Sequence, residues 1–197
     1  MYFVNKSYTH TYELKQSKFI AHFMPYSEYN FTLKELKLSH PKARHFVVAY
    51  RYLNELNQIV EHSSDDGEPK GTSGKPSLMV LQGTGVINSA VIIVRYFGGT
   101  KLGTGGLVRA YSNAVNLVLD SSDLQEYKEE IIKKISFEYS NIRKIEYECL
   151  TCSIEIVHKL FDEKTVYELK ASTTDMDCFL KKVERLVFNC TSHVPHR

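Results

Sequence analysis

Outside a single window this chain contains no glycine: all ten fall between Gly67 and Gly106. Cysteine is missing from the first 148 residues, and the four present (Cys149, Cys152, Cys178, Cys190) all lie in the last third. That usage argues against a disulfide framework and fits free thiols in a reducing compartment, so a cytoplasmic protein is expected. No run approaches the ~18 apolar residues of a membrane helix. The opening MYFVNKSYTHTYELKQSKF lacks the apolar core of a secretory signal, and no membrane association is expected. Neither charge sign dominates. The net charge is +2; residues 1–123 carry 13 Lys/Arg against 10 Asp/Glu and residues 124–197 carry 12 against 13. Any basic patch must therefore be local.

The glycine window is what stands out. It reads DDGEPKGTSGKPSLMVLQGTGVINSAVIIVRYFGGTKLGTGGLVRAY, with carboxylates at one end and arginines at the other. Glycine is used where φ must be positive or where a backbone must be approached closely, so the window marks the expected functional face.

The hydrophobic pattern predicts a strand over 17–24, then a helix capped by Ser27 or Asn30 and ended by Pro41, with Phe31, Leu33, Leu36 and Leu38 as its apolar members. Residues 44–53 and 58–63 read as a hairpin, and 76–82 as a short helix with Pro76 at its first position. Residues 89–95 (SAVIIVR) form an apolar run of strand length, expected at the centre of a sheet. Apolar residues at 107, 108, 111, 114, 115, 118 and 119 have helical spacing. The polar stretch 120–130 marks a division into domains 1–123 and 124–197. The second reads strand 131–137, helix 140–151, strand 153–159, strand 165–170 and helix 175–188, a ferredoxin-like order lacking only a clear last strand, which the tail FNCTSHVPHR is free to supply. The fold class is α+β in two domains, each a sheet covered on one face by helices.

One constellation carries chemistry. The unit from Val91 to Leu119 places Arg95 at a strand end, Lys101 in the loop with Gly98, Gly99 and Gly103, and Gly105, Gly106 and Arg109 at the helix start. Unpaired N–H groups and the helix dipole both favour an anion there, and flanking cations would bond phosphate oxygens. Tyr96 and Phe97 offer stacking surfaces for a base. The alternative is that the glycines only make a tight crossover while the arginines pair with Asp65, Asp66 and Glu68. Neither G-x-x-x-x-G-K-[ST] nor G-x-G-x-x-G is present, so ATP and NAD are disfavoured and no cofactor is expected. Asp65, Asp66 and Glu68 form a candidate acidic site for a divalent cation or for acid–base work, although such clusters more often shape turns. His45 and His62 invite a hydrolase reading that no G-x-S-x-G elbow supports. Cys149 and Cys152 have zinc-like spacing, but no second C-x-x-C completes a site, so no metal is assigned.

The elements KFIAH, HFVVAYR, DDGEP, GTSGKP, RYFGG and KLGTGGLVRAY, in that order over residues 12–120, resemble the signature of the IMPACT/YigZ family. The resemblance implies a first domain similar to the second domain of a small-subunit ribosomal protein. It also implies a C-terminal ferredoxin-like domain similar to the last domain of elongation factor G. The expectation is a non-enzymatic, translation-associated protein that binds RNA or the ribosome, with a translation-related protein as a further kind of partner. A metal-dependent hydrolase or phosphoryl-handling enzyme using the acidic turn, and a protein–protein adaptor, are the alternatives. No catalytic residue is carried over from the family.

Overall fold

The computed structural model describes residues 1–193. The chain forms two compact units, Met1–Tyr127 and Lys128–Arg197. The first extends four residues past the expected division at 123, because β7 (Gln125–Glu126) pairs with β1 (Tyr2–Phe3).

The first unit is built on an antiparallel sheet of five strands in the order β2-β3-β6-β4-β5. These strands are β2 (Tyr8–Leu14), β3 (Ser17–Pro25), β4 (His45–Leu53), β5 (Ile59–Ser64) and β6 (Ser89–Tyr96). The expected central strand is β6, buried at every position before Tyr96. Its uninterrupted apolar run follows from helices on both faces of this sheet, which corrects the one-faced cover expected for this domain. On one face α2 (Gly74–Gly83) and α3 (Gly103–Asp120) pack Leu81, Leu107, Ala114 and Val118 against Phe19, Phe23, Val47, Val91 and Ile93. On the other, α1 (Tyr29–Ser39) sets Leu36 and Leu33 against Met24, Phe46, Val48 and Ile92.

Strand β2 was not expected, yet its residues alternate half-buried and exposed along its whole length. It joins β3 through Lys15 and Gln16, both at positive φ (46° and 62°). That is the backbone of a tight hairpin turn, reached here without the Asn-Gly or Asp-Gly pair that normally announces it. Helix α1 follows a 3-10 turn at Tyr26–Glu28 and has no side-chain cap, so neither Ser27 nor Asn30 plays that part. Its single inward stripe leaves Phe31 and Leu38 71% and 75% exposed. Pro76 is the third residue of α2, where its missing N–H is still harmless.

The second unit has four antiparallel strands in the order β11-β8-β10-β9. They are β8 (Glu130–Phe137), β9 (Glu155–Phe161), β10 (Thr165–Ser172) and β11 (Val187–His193), with α4 (Ile142–Thr151) and α5 (Thr173–Val183) between them. Ile135, Phe137, Tyr167 and Leu169 meet Ile145, Met176, Phe179 and Val183 in its core. Ser172 caps α5, its Oγ accepting from Asp175 N–H at 3.1 Å. The helix stops at Val183 rather than 188 because the chain turns to pair Val187 with Phe137, so the tail supplies the missing last strand. Residues 194–197 of the expected tail lie outside the described residues.

Candidate nucleic-acid interface

The acidic turn is built into the fold. Asp65 Oδ1 accepts from Ser73 N–H at 3.1 Å, Ser73 Oγ at 2.6 Å and Gly74 N–H at 2.8 Å, while Oδ2 accepts from Gly71 N–H at 2.7 Å. One carboxylate thus closes the turn on itself and caps α2. Partial burial works against ionisation, but the Ser73 hydroxyl and the three N–H donors outweigh it and hold the Asp65 carboxyl below its usual value. Space is tight: a Cβ on Gly74 would lie 2.8 Å from the Ser64 carbonyl. Asp66 accepts from Phe46 N–H at 2.6 Å, which ties the turn to β4.

Glu68 goes inward. Its side chain is 3% exposed and pairs with the Arg95 guanidinium, itself 7% exposed. The Tyr111 hydroxyl of α3 donates to the same Glu68 Oε1 at 2.9 Å, and His45 Nε2 lies 4.0 Å from it. Burial and the neighbouring carboxylate push the Tyr111 phenol well above its ordinary value, so it stays a donor. His45 Nδ1 stands 2.8 Å from the Asp66 carbonyl, which only accepts, so Nδ1 carries the proton. Strand, turn and helix are thereby joined at one carboxylate. A pair this buried owes much of its worth to mutual neutralisation, since either charge alone would be strongly unfavourable.

These contacts correct two expectations. The three carboxylates do not converge on a common point, and among the described residues no group of three or more His, Cys, Asp or Glu is placed to hold a metal. Nor is Arg95 a surface cation: it lies under Phe97 and over Phe19, committed to Glu68. Pairing between an arginine and the acidic turn, the alternative weighed from sequence, is correct for Arg95 and Glu68. Tyr96 turns to the opposite face of the sheet from Arg95, where its hydroxyl meets His40 Nδ1 at 2.8 Å; it is not a free stacking platform. Phe97 is 55% exposed, with the Arg95 guanidinium against one face of its ring.

The remaining sequence candidates stay on one surface. Gly98 is fixed by the fold: its N–H donates to Ser17 Oγ at 3.1 Å, and a Cβ there would overlap the Gln16–Ser17 backbone. Gly99 and Gly103 take φ of 86° and 72° on either side of exposed Lys101. Helix α3 begins at Gly103, earlier than expected, so Gly105 and Gly106 are its third and fourth residues and Arg109 sits in its second turn. No side chain caps this helix. Arg109 is exposed, and its Nε donates to the Gly105 carbonyl at 3.3 Å, which holds the guanidinium near the helix start. Lys101, the first N–H groups of α3 and Arg109 make a short electropositive edge suited to an anion.

Of the other candidates, His62 is exposed and stacks on Tyr50 with ring centres 5.1 Å apart. Sequence reasoning passed over Tyr111, which its spacing assigns to the helix core. Only the fold reveals that its hydroxyl serves Glu68, because residues 43 positions apart carry no local signal of contact.

The fold and this edge define a two-domain mixed α/β protein whose glycine-rich strand–loop–helix unit fastens an internal acidic turn on one side and leaves a basic helix start open on the other. The family model of the Impact N-terminal domain matches residues 15–119, more than half of the chain, and the chain belongs to the IMPACT family. An IMPACT family member of Haemophilus influenzae is 34% identical over 170 residues, covering 85% of this chain and 82% of that protein. The IMPACT family member YigZ of Escherichia coli is 36% identical over 149 residues, 74% and 73% of the two chains. A solved structure described as a hypothetical protein superposes with a TM-score of 0.62 at 29% identity, covering 93% of this chain and 91% of that one. No helix among the described residues is long and apolar enough to cross a membrane.

Proposed function

We propose that this chain acts in translation by binding RNA or a ribosomal surface, with the start of α3 as a phosphate contact. Gly105 carries the reading. It stands inside the first turn of a helix, does not need positive φ, and a Cβ there would meet nothing within 4 Å. Glycine in a helix costs up to ~1 kcal/mol relative to alanine. Neither conformation nor crowding within the chain asks for that cost, whereas a backbone that another molecule must approach does. Lys101 and Arg109 supply the cations, and exposed Phe97 a surface for a base. The likeness to a ribosomal-protein domain and to an elongation-factor domain that the family resemblance implies would support the same reading, by analogy alone. A second contact from the C-terminal domain would add through effective concentration.

The test is binding to a single-stranded RNA, a double-stranded RNA and ribosomes across a salt series, beside the variant Lys101→Ala/Arg109→Ala. Binding is expected to weaken with salt. Loss of two phosphate contacts should flatten the single-strand slope by about 1.4. Salt-independent binding to ribosomes would overturn the phosphate reading and point to a protein–protein adaptor, and no binding at all would overturn both.

A further inference from the structure

Four free cysteines occur in the second unit, and two of them meet: Cys152 Sγ and Cys178 Sγ are 4.0 Å apart. Both positions are anchored. Cys152 closes the C-terminus of α4, its N–H donating to the Glu148 carbonyl at 2.9 Å, and is 6% exposed. Cys178 is exposed on α5 between Met176 and Phe179, which are fully buried and hold that helix against the sheet. One turn further on, the Lys182 ammonium lies 3.2 Å from Glu148 Oε2; burial holds the Cys152 thiol above its ordinary value, and the Lys182 charge offsets part of that. The pair therefore has one thiol open to solvent, one enclosed behind it, and a cation beside the enclosed one. The other two cysteines lack this arrangement. Cys149 is 1% exposed and burial pushes its thiol up to about 12, so it stays protonated. Cys190 lies on strand β11.

We infer that Cys178 and Cys152 are an oxidation site, forming a reversible disulfide between α5 and the end of α4 when the protein meets a peroxide. The Cys178 thiolate attacks one peroxide oxygen; the S–O bond forms, the O–O bond breaks, and the departing hydroxide takes a proton to become water. Cys178 is oxidised by two electrons to the sulfenic acid and the peroxide is reduced. Cys152 then attacks the Cys178 sulfur, the S–S bond forms, the S–O bond breaks, and the hydroxide leaves as a second water with the Cys152 proton. Bond formation contracts the Sγ–Sγ separation from 4.0 Å to the ~2.05 Å of a disulfide. A dithiol reductant reverses the link, as a reducing compartment demands.

The test is a titration of the reduced full-length protein with hydrogen peroxide, followed by thiol blocking, digestion and mass spectrometry without reduction. The expected result is one intramolecular Cys152–Cys178 linkage, loss of two free thiols, and full recovery with dithiothreitol. Cys178→Ser should abolish the linkage and Cys149→Ser should leave it unchanged. A linkage through Cys149 or Cys190, a disulfide between molecules, or oxidation of Cys178 to the sulfinic acid with Cys152 still free would overturn the assignment. Mapping on the unaltered chain decides it even where a variant fails to fold.

Discussion

Two helices in the first unit begin with glycine, and the chain treats them in opposite ways. At α2 the N–H groups of Ser73 and Gly74 are taken by Asp65, a carboxylate delivered from the preceding turn, and a Cβ on Gly74 would run into the Ser64 backbone. At α3 there is no capping side chain, and the space around Gly105 is open. The first helix start already holds an anion from the chain itself; the second has no side-chain cap. Glycine content therefore does not identify a binding site. What distinguishes the two is whether the protein's own carboxylate occupies the donors.

The most damaging way to break the contrast is at Glu68, which pins the Asp65 turn to β6 and α3. Glu68→Ala strands the Arg95 guanidinium in the core and should cost about 3–5 kcal/mol, read as a fall in the urea midpoint. Retention of wild-type stability would show that the ion pair is dispensable. Next is Gly74→Ala, which forces a methyl group onto the Ser64 backbone and should cost about 1–3 kcal/mol. The matching change at the open helix, Gly105→Ala, should stabilise by up to ~1 kcal/mol while weakening RNA binding. Equal destabilisation by both alanines would erase the distinction.

Asp65 makes the α2 start pH-sensitive. Its folded-state pKa lies below the unfolded value, so the carboxylate form is the one the fold favours. The stability it contributes is complete above about pH 5 and disappears as the pH falls through the folded value. Asp65→Asn should give a shallower acid limb in unfolding scans and little further change in pH dependence near neutrality. An unaltered acid limb would remove Asp65 from its capping part.

Much of the frame was legible locally. The apolar run of β6 and the 3.6-residue spacing of α3 follow from burial on each element separately, and the β4–β5 hairpin and the element order of the second unit came from pattern and turn residues. Strand β2 escaped because its turn residues, Lys15 and Gln16, carry no glycine or asparagine to betray positive φ. Phe31 and Leu38 misled because hydrophobic identity does not say which side of a helix faces the sheet, and only one stripe of α1 does. In the candidate site, Lys101, Gly103, Gly105 and Arg109 lie within nine positions of one another, so sequence alone could group them. Arg95 was misassigned for the converse reason: its partner Glu68 lies 27 positions away.

Periodicity and motif order were enough to establish the two-domain α/β plan and the family, because each depends on residues within a turn or two of one another. The fate of individual charges was decided only when the sheet closed. Packing Tyr111 and Arg95 around Glu68, and wrapping a turn around Asp65, are long-range events in which desolvation forces each charge to find a partner, and the helix start left without one is defined by that same exclusion.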